Sequence, residues 1–342
     1  MNRIVIIISA CLLPAMTIAQ QKPHYTQYIL NNYILNPAVT GIENYTDIRL
    51  SHRSQWQGID GAPQTTYLTV HFPLSKDDYR TTATSYALPG ENPRGNAYWE
   101  DYTSASPHHG LGAMVLKDRA GFLNRVTAAV SYAYHLGISP KTSVAAGFQA
   151  GLTSVSLDAD KINWAALDPN DPAIAINSGL IRKINPEIGA GIWVYSADYF
   201  AGAAVQNIVP GKITFSANSQ YGDYYKPHFF MTAGYRFLLN EDWNIIPSIM
   251  AKYIAPLPVQ PELNVKVQYR DLGWVGGSYR LKDQLGGWAA MAGINISNMF
   301  NIGYAYEVTT SGLQTYSRGT HELTIGFIIG NAYGDLCPRN VW

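Results

Sequence analysis

From Tyr45 onward, apolar and polar residues alternate with a period of two, in short segments separated by Gly, Pro, Asn, Asp and Ser. Period two is the signature of a half-exposed β-strand, because successive side chains leave opposite faces. The pattern predicts strands near 45–53, 64–72, 109–117, 122–136, 141–153, 186–195, 199–207, 226–238, 243–254, 261–270, 272–281, 285–296, 299–308 and 320–330, about fourteen in all. In the first, Thr46, Ile48, Leu50 and His52 share one face and Tyr45, Asp47, Arg49, Ser51 and Arg53 the other. In 122–136, Val126, Ala128, Val130, Tyr132 and Tyr134 oppose Arg125, Thr127, Ser131 and His135; in 261–270, Leu263, Val265, Val267 and Tyr269 oppose Asn264, Lys266, Gln268 and Arg270. In 320–330, Leu323, Ile325, Phe327 and Ile329 oppose Glu322, Thr324 and Gly326.

Alternation alone fits a soluble sandwich as well as a membrane barrel. Two features favour the barrel. Apolar faces end in aromatic residues (Tyr134, Trp243, Tyr253, Tyr269), as at a membrane interface, and no Lys or Arg falls on them at mid-bilayer, where it would cost about 2–4 kcal/mol. Connections alternate too: turns near 137–140, 196–198, 240–242, 271 and 297–298 are short, whereas 157–183, 208–225 and 309–319 are long. Short turns at one rim and long loops at the other place both chain ends at the periplasmic rim. The polar stretch 77–107 departs from this rule and reads as an insertion.

Ahead of the strands the character changes. Residues 1–19 have a basic start at Arg3, an apolar run over 4–18 and small residues before Gln20, the form of a secretory signal. A lipoprotein signal with Cys11 acylated would leave a hydrophobic region of only about five residues, below the usual range. Residues 20–44 are rich in Tyr, Asn and Gln with embedded Ile and Leu, and Tyr25, Tyr28, Ile29, Asn32 and Tyr33 would share one helical face. Asn36 precedes Pro37 and is steered out of the α region, so a helix stops there. This is a plug-like segment, expected to enter the lumen from the periplasmic side. The reading is therefore a signal peptide (1–19), the plug-like segment (20–44), an outer-membrane barrel (45–330) and a periplasmic tail (331–342).

Composition agrees with the barrel: 24 Tyr and 30 Gly beside only 14% charged residues suit aromatic girdles and curved sheet. No later run is apolar and long enough for a spanning helix. Zero formal net charge gives no reason to expect nucleic-acid binding. Cys337 is the one cysteine beyond the signal, so no internal disulfide forms and no cysteine chemistry is implied.

On these registers Arg49, Arg53, Arg125, Arg236, Lys252, Lys266, Arg270 and Arg280 face the lumen, opposed by Asp47, Glu187, Glu307 and Glu322. They form either ion pairs filling a closed barrel or a docking surface for polypeptide. No hydrolase, P-loop or dinucleotide fingerprint is present, so no catalytic, cofactor or metal site is expected. His108-His109 reads as a solvated pair, and His321 and Glu322 point to opposite faces. Residues 168–172 (DPNDP) could ligate a surface calcium but read first as a turn.

Gln27-Tyr28, Asn36-Pro37-Ala38 and Gly41, followed by RSQWQGIDGAP at 53–63, resemble the N-terminal signature of the PorP/SprF family. Later stretches continue the resemblance in order: SYAYH at 131–135, Gly189-Ala190-Gly191, Ser278-Tyr279-Arg280, Gly303-Tyr304-Ala305-Tyr306 and His321-Glu322. These are outer-membrane proteins of the Bacteroidetes type IX secretion and gliding system. The resemblance implies a non-enzymatic barrel in outer-membrane lipid that supports export or attachment of a surface protein, such as an adhesin, bearing a type IX C-terminal sorting domain. It also implies periplasmic partners, including a peptidoglycan-binding lipoprotein. Tyr28, Asn36, Pro37, Gln55, Trp56, Gly58, Gly61 and Pro63 become the expected docking residues. A small-solute porin or transporter is the alternative.

Overall fold

The computed structural model describes residues 25–43, 45–74, 104, 106–158, 180–210, 212–213, 223–224, 226–240, 242–270, 272–281, 287–297, 299–310 and 312–330. The signal at 1–19, most of 77–107, the 168–172 turn, Cys337 and the 331–342 tail lie outside these residues.

The barrel wall is built from β1 (Thr46–Ser54), β2 (Gln64–Leu74), β3 (His108–Ala120), β4 (Leu123–Ser139), β5 (Thr142–Asp158), β6 (Leu180–Tyr195) and β7 (Tyr199–Gln206). It continues through β10 (His228–Tyr235), β11 (Phe237–Leu238), β12 (Trp243–Tyr253), β13 (Gln260–Tyr269), β14 (Gly273–Arg280), β15 (Gly287–Asn295), β16 (Phe300–Thr309) and β17 (Thr320–Ile329). A small ribbon of β8 (Lys212–Ile213) and β9 (Asp223–Tyr224) lies between β7 and β10 in sequence. Both β10 and β11 pair with β12, so they are one strand interrupted at Arg236, and the wall is a closed fourteen-stranded antiparallel barrel. The first and last strands seal it, in register from Thr46↔Ile329 to Ser54↔His321. Closure leaves no sheet edge, which hydrocarbon requires because it offers no partner to a free N–H or C=O.

Side chains follow the alternation. Asp47, Arg49, Ser51 and Arg53 of β1 are buried inward, whereas Leu50 and His52 are exposed. Outside, aromatic pairs mark the two rims: Tyr235 with Phe237 and Trp243 with Tyr269 (both 4.7 Å) at the rim of the chain ends, Tyr279 with Trp288 (4.2 Å) at the other. No helix among the described residues is long and apolar enough to cross a membrane, and the strands do the crossing.

Most boundaries shift by one to three residues from the sequence reading, and two shift further. β5 runs on to Asp158 and β6 begins at Leu180, past the expected 153 and 186. Beyond Ile184 the outward positions turn polar, Ser156 being paired with Arg182, whereas Val155 is buried inward. They lose the apolar alternation because this part of the wall stands beyond the hydrocarbon, while the backbone ladder continues. Outward-facing Lys117, Arg119 and Arg182 mark the same level, since cations there avoid the mid-bilayer cost.

Candidate docking lumen and outer mouth

The N-terminal segment lies inside the barrel, and all of residues 25–43 are buried except Leu30, which is half-buried. It forms no α-helix. Three short 3-10 helices, Thr26–Leu30, Asn32–Ile34 and Pro37–Val39, are separated where Asn31 (φ −146°, ψ 67°) leaves the helical region and Asn36 (φ −136°, ψ 112°) turns extended. A segment surrounded by wall on every side gains nothing from a single apolar face, so the predicted helical stripe is replaced by turns that aim side chains all round.

The wall meets those side chains in kind. Asn31 Nδ2 donates to Thr69 Oγ1 (2.9 Å) on β2, and the Tyr33 hydroxyl bonds Ser131 Oγ (2.8 Å) on β4. Gln206 Nε2 on β7 donates to the carbonyls of Ile34 and Leu35 (3.0 and 2.9 Å). Asn264 on β13 donates to the Tyr28 hydroxyl. Asn36 donates to the Ile192 carbonyl (2.9 Å) while its Oδ1 caps Ala38 N–H (3.0 Å). The apolar residues pack on inward Met114, Leu116, Phe230, Ile246, Met250 and Met291, so this barrel carries a hydrophobic core within its lumen.

Close approach is made possible by glycine. A Cβ on Gly191 would stand 2.0 Å from Asn36 Oδ1, and one on Gly147 2.5 Å from the Pro37 carbonyl. Gly41 has φ +71° and sits against Gly110, where an added Cβ would be 2.5 Å from the Gly110 Cα. A side chain at any of these positions displaces the segment.

One end of the segment meets an ion network. Arg53 binds Glu307 (2.9 Å) and Glu322 (3.1 Å), and Arg280 binds the same Glu307 (3.0 Å) and Glu262 (3.1 Å). Thr26 joins it: its N–H donates to Glu322 (2.9 Å), its hydroxyl to Glu307 (2.8 Å), and Arg53 donates to the same hydroxyl. The other end meets histidines. Gly41 N–H donates to His71 Nδ1 (3.3 Å), and its carbonyl is bonded by His108 Nε2 (3.1 Å). The His108 ring stacks on His135 (4.5 Å, 4°), whose Nε2 bonds the Thr40 carbonyl (2.8 Å).

Beyond the ion network lies the loop at residues 55–63. Gln57 N–H donates to the Gly319 carbonyl (2.8 Å), and its carbonyl accepts from Arg318 N–H (2.7 Å), a two-bond bridge to the loop before β17. Gly61 accepts from Gly121 N–H (2.8 Å), and Gln55 N–H closes on Pro63 (2.9 Å). Trp56, Gly58 and Gly61 have φ of 49°, 101° and 70°, the left-handed region that glycine tolerates. The bridge holds Trp56 and the 74% exposed Tyr316 on two joined loops of one face.

Of the residues singled out from sequence, Tyr28, Asn36 and Pro37 lie in the lumen and Gln55, Trp56, Gly58, Gly61 and Pro63 at the mouth. Arg49, Arg53, Arg125, Arg236, Lys252, Lys266, Arg280, Glu187, Glu307 and Glu322 are all buried inward. Arg49 pairs with Asp47 (2.7 Å), and the Lys266 ammonium lies 5.9 Å from the Trp274 ring. Arg270 is a correction. It has left the strand (φ 46°) for the β13–β14 turn, where it bonds Asp242 at 2.9 Å with its side chain 38% exposed. That hydrogen bond and the opposite charge hold the guanidinium above its usual value. His108, read as solvated, is buried; strand pairing carries it inward opposite His135. Residues 25–38 were expected on the periplasmic side, yet Thr26 lies at the far end of the lumen. Glu262, Gln206 and the inward His71 and His228 were missed, because a polar residue on an alternating face says which way it points but not what it meets. Among the described residues no group of His, Cys, Asp and Glu is arranged to hold a metal ion.

Several solved outer-membrane proteins are similar in fold. Omp33 of Acinetobacter baumannii is 8% identical, with 85% of this chain and 100% of that one covered and a TM-score of 0.47. The Ralstonia pickettii toluene transporter TbuX is 10% identical over 88% and 92% (TM-score 0.48), and the monoaromatic hydrocarbon channel CymD 12% identical over 91% and 94% (0.44). At such scores the likeness has no bearing on what this chain does. Among curated proteins none matches. A family model for the type IX secretion system membrane protein PorP/SprF matches residues 17–327, almost the whole strand array and the segment within it. The chain is thus an outer-membrane β-barrel belonging to the PorP/SprF family of type IX secretion system membrane proteins.

Proposed function

We propose that the protein is a non-conducting accessory of type IX secretion that docks a polypeptide and supports its export or attachment at the cell surface. The observation that carries this reading is the occupied lumen. Residues 25–43 meet donors, acceptors and apolar groups from strands all round the wall, and paired opposite charges close on Thr26. A solute channel needs an open, wet path, whereas this interior is furnished for peptide backbone, amides and phenols.

The partner is a secreted surface protein with a type IX C-terminal sorting domain, an adhesin among the candidates. It engages the face around Gln55, Trp56, Gly58, Gly61 and Pro63. The chain-end rim faces periplasmic secretion components, including a peptidoglycan-binding lipoprotein. Family and fold are those of a non-enzymatic secretion component.

Two measurements test this. In planar bilayers the purified protein is expected to show no steady conductance, and a stable open pore would sink the proposal in favour of a porin. Trp56→Ala is expected to abolish export or surface retention of the partner while heat-modifiable migration of the barrel stays normal. Loss of barrel assembly would make the loop structural instead.

A further inference from the structure

From β2 to β6, at the end of the wall away from the chain ends, the outward face changes character abruptly. Strand pairing sets its residues in rows across the sheet. In one row Leu68, Val115, Ala128, Leu152 and Pro186 stand side by side, all apolar. Two residues further along, the row is Thr66, Lys117, Val126, Ser154 and Ile184, and two further again it is Gln64, Arg119, Asn124, Ser156 and Arg182. Three cations thus enter directly beyond the apolar row, and neither polar row holds an acidic residue. Lys117, Arg119 and Arg182 are all exposed, and among the described residues none of them is joined to a carboxylate. Arg182 Nε donates to Ser154 Oγ (2.7 Å), which lays its guanidinium toward β5 and the other two cations.

The cost of a cation at mid-bilayer would permit such residues at this level anywhere around the barrel. They are confined to one side. The outward faces of β12 to β16 hold no charged residue among the described residues, and their ends at this rim are aromatic: Tyr253, Tyr279 and Trp288. Lys117 and Arg119 lie roughly 7 Å apart along β3, and Arg119 and Arg182 stand three strands apart, roughly 14 Å at the usual strand spacing. Asn124 and Ser156 fill the interval with hydrogen-bonding groups. One small ion cannot span that row, whereas a sugar headgroup carrying phosphates can.

We propose that this face of β3 to β6 binds the phosphorylated headgroup of a membrane glycolipid, whose acyl chains lie along Val115, Ala128 and Leu152. The forked guanidinium groups of Arg119 and Arg182 match phosphate oxygens two at a time, and Lys117 adds a point charge at the boundary with the chains. The apolar row fixes the depth of the lipid and the cations fix its headgroup, so the two halves of the ligand are read by adjacent rows. That this end of the wall faces the cell exterior rests on the function proposed above; the recognition of the headgroup does not.

The test uses the full-length folded barrel in detergent, where membrane orientation plays no part and failure leaves the conductance and export tests untouched. Diphosphoryl lipid A, or the same lipid stripped of its phosphates, is added and the retained lipid is read by native mass spectrometry. The wild type is expected to retain the phosphorylated form at least about ten-fold better, at about five-fold per cation. Arg119→Gln is expected to lower that preference about five-fold, and the triple variant Lys117→Gln, Arg119→Gln, Arg182→Gln to abolish it, with heat-modifiable migration unchanged. Lys141→Gln, in the β4–β5 turn at the other end of the wall, is expected to have no effect. Equal retention of both lipids by the wild type, or a preference that persists in the triple variant, would overturn the proposal. So would an equal loss in Lys141→Gln and Arg119→Gln, which would reduce the effect to overall charge. Inorganic phosphate alone, retained by the wild type and lost in the triple variant, would make this a free-anion site and overturn the lipid assignment.

Discussion

Arg53 shows how much a single side chain can hold together. Its guanidinium spans β16 and β17 through Glu307 and Glu322 and reaches the internal segment through Thr26. A buried pair of this kind adds little over an apolar replacement of both partners, but loss of one partner strands the other charge, at a cost of about 3–5 kcal/mol. Arg53→Met is expected to destabilise by that order, read as a lower urea midpoint for refolded barrel. Arg53→Lys keeps the charge but not the fork that serves two carboxylates and a hydroxyl, and is expected to fall between. A midpoint for Arg53→Met equal to wild type would show that the network contributes nothing to stability. Alternation placed Arg53 inward correctly. Its partners are 254 and 269 residues distant in sequence, which no local pattern reports.

The element that organises the interior is the N-terminal segment. Its fit depends on what the wall omits as much as on what it offers. Gly191→Ala brings a methyl carbon to where Asn36 Oδ1 now lies, 2.0 Å from the ideal position. Overpacking of this kind costs about 1–3 kcal/mol. The expected result is a barrel that still migrates as folded but whose N-terminal segment becomes accessible to added protease. Unchanged protection would mean that the segment settles elsewhere at no cost. The aromatic and amide character of this segment was legible, as was its break before Pro37. Its 3-10 turns and its direction were not, because both are set by the shape of a cavity made from strands that follow it in the chain.

For the whole molecule, the decisive distinction is between the two faces of one sheet. Val130 is 63% exposed on the outward face, whereas Arg125, five residues earlier on the same strand, is buried inward. Val130→Arg is expected to cost about 2–4 kcal/mol in lipid, detected as impaired refolding into liposomes, while Arg119→Ala beyond the apolar band is expected to be neutral. Equal effects would contradict the assigned membrane level. The alternation also yielded the number of strands, and with it a first strand that starts where the last one ends, because period two is a local property that a bilayer imposes on every strand alike. Tertiary structure decided what the lumen contains: Glu262 beside Arg280, His108 against His135, and Arg270 released to a turn. Closing a sheet brings together residues from opposite ends of the chain, and cavity shape and ion pairing arise only once it has closed.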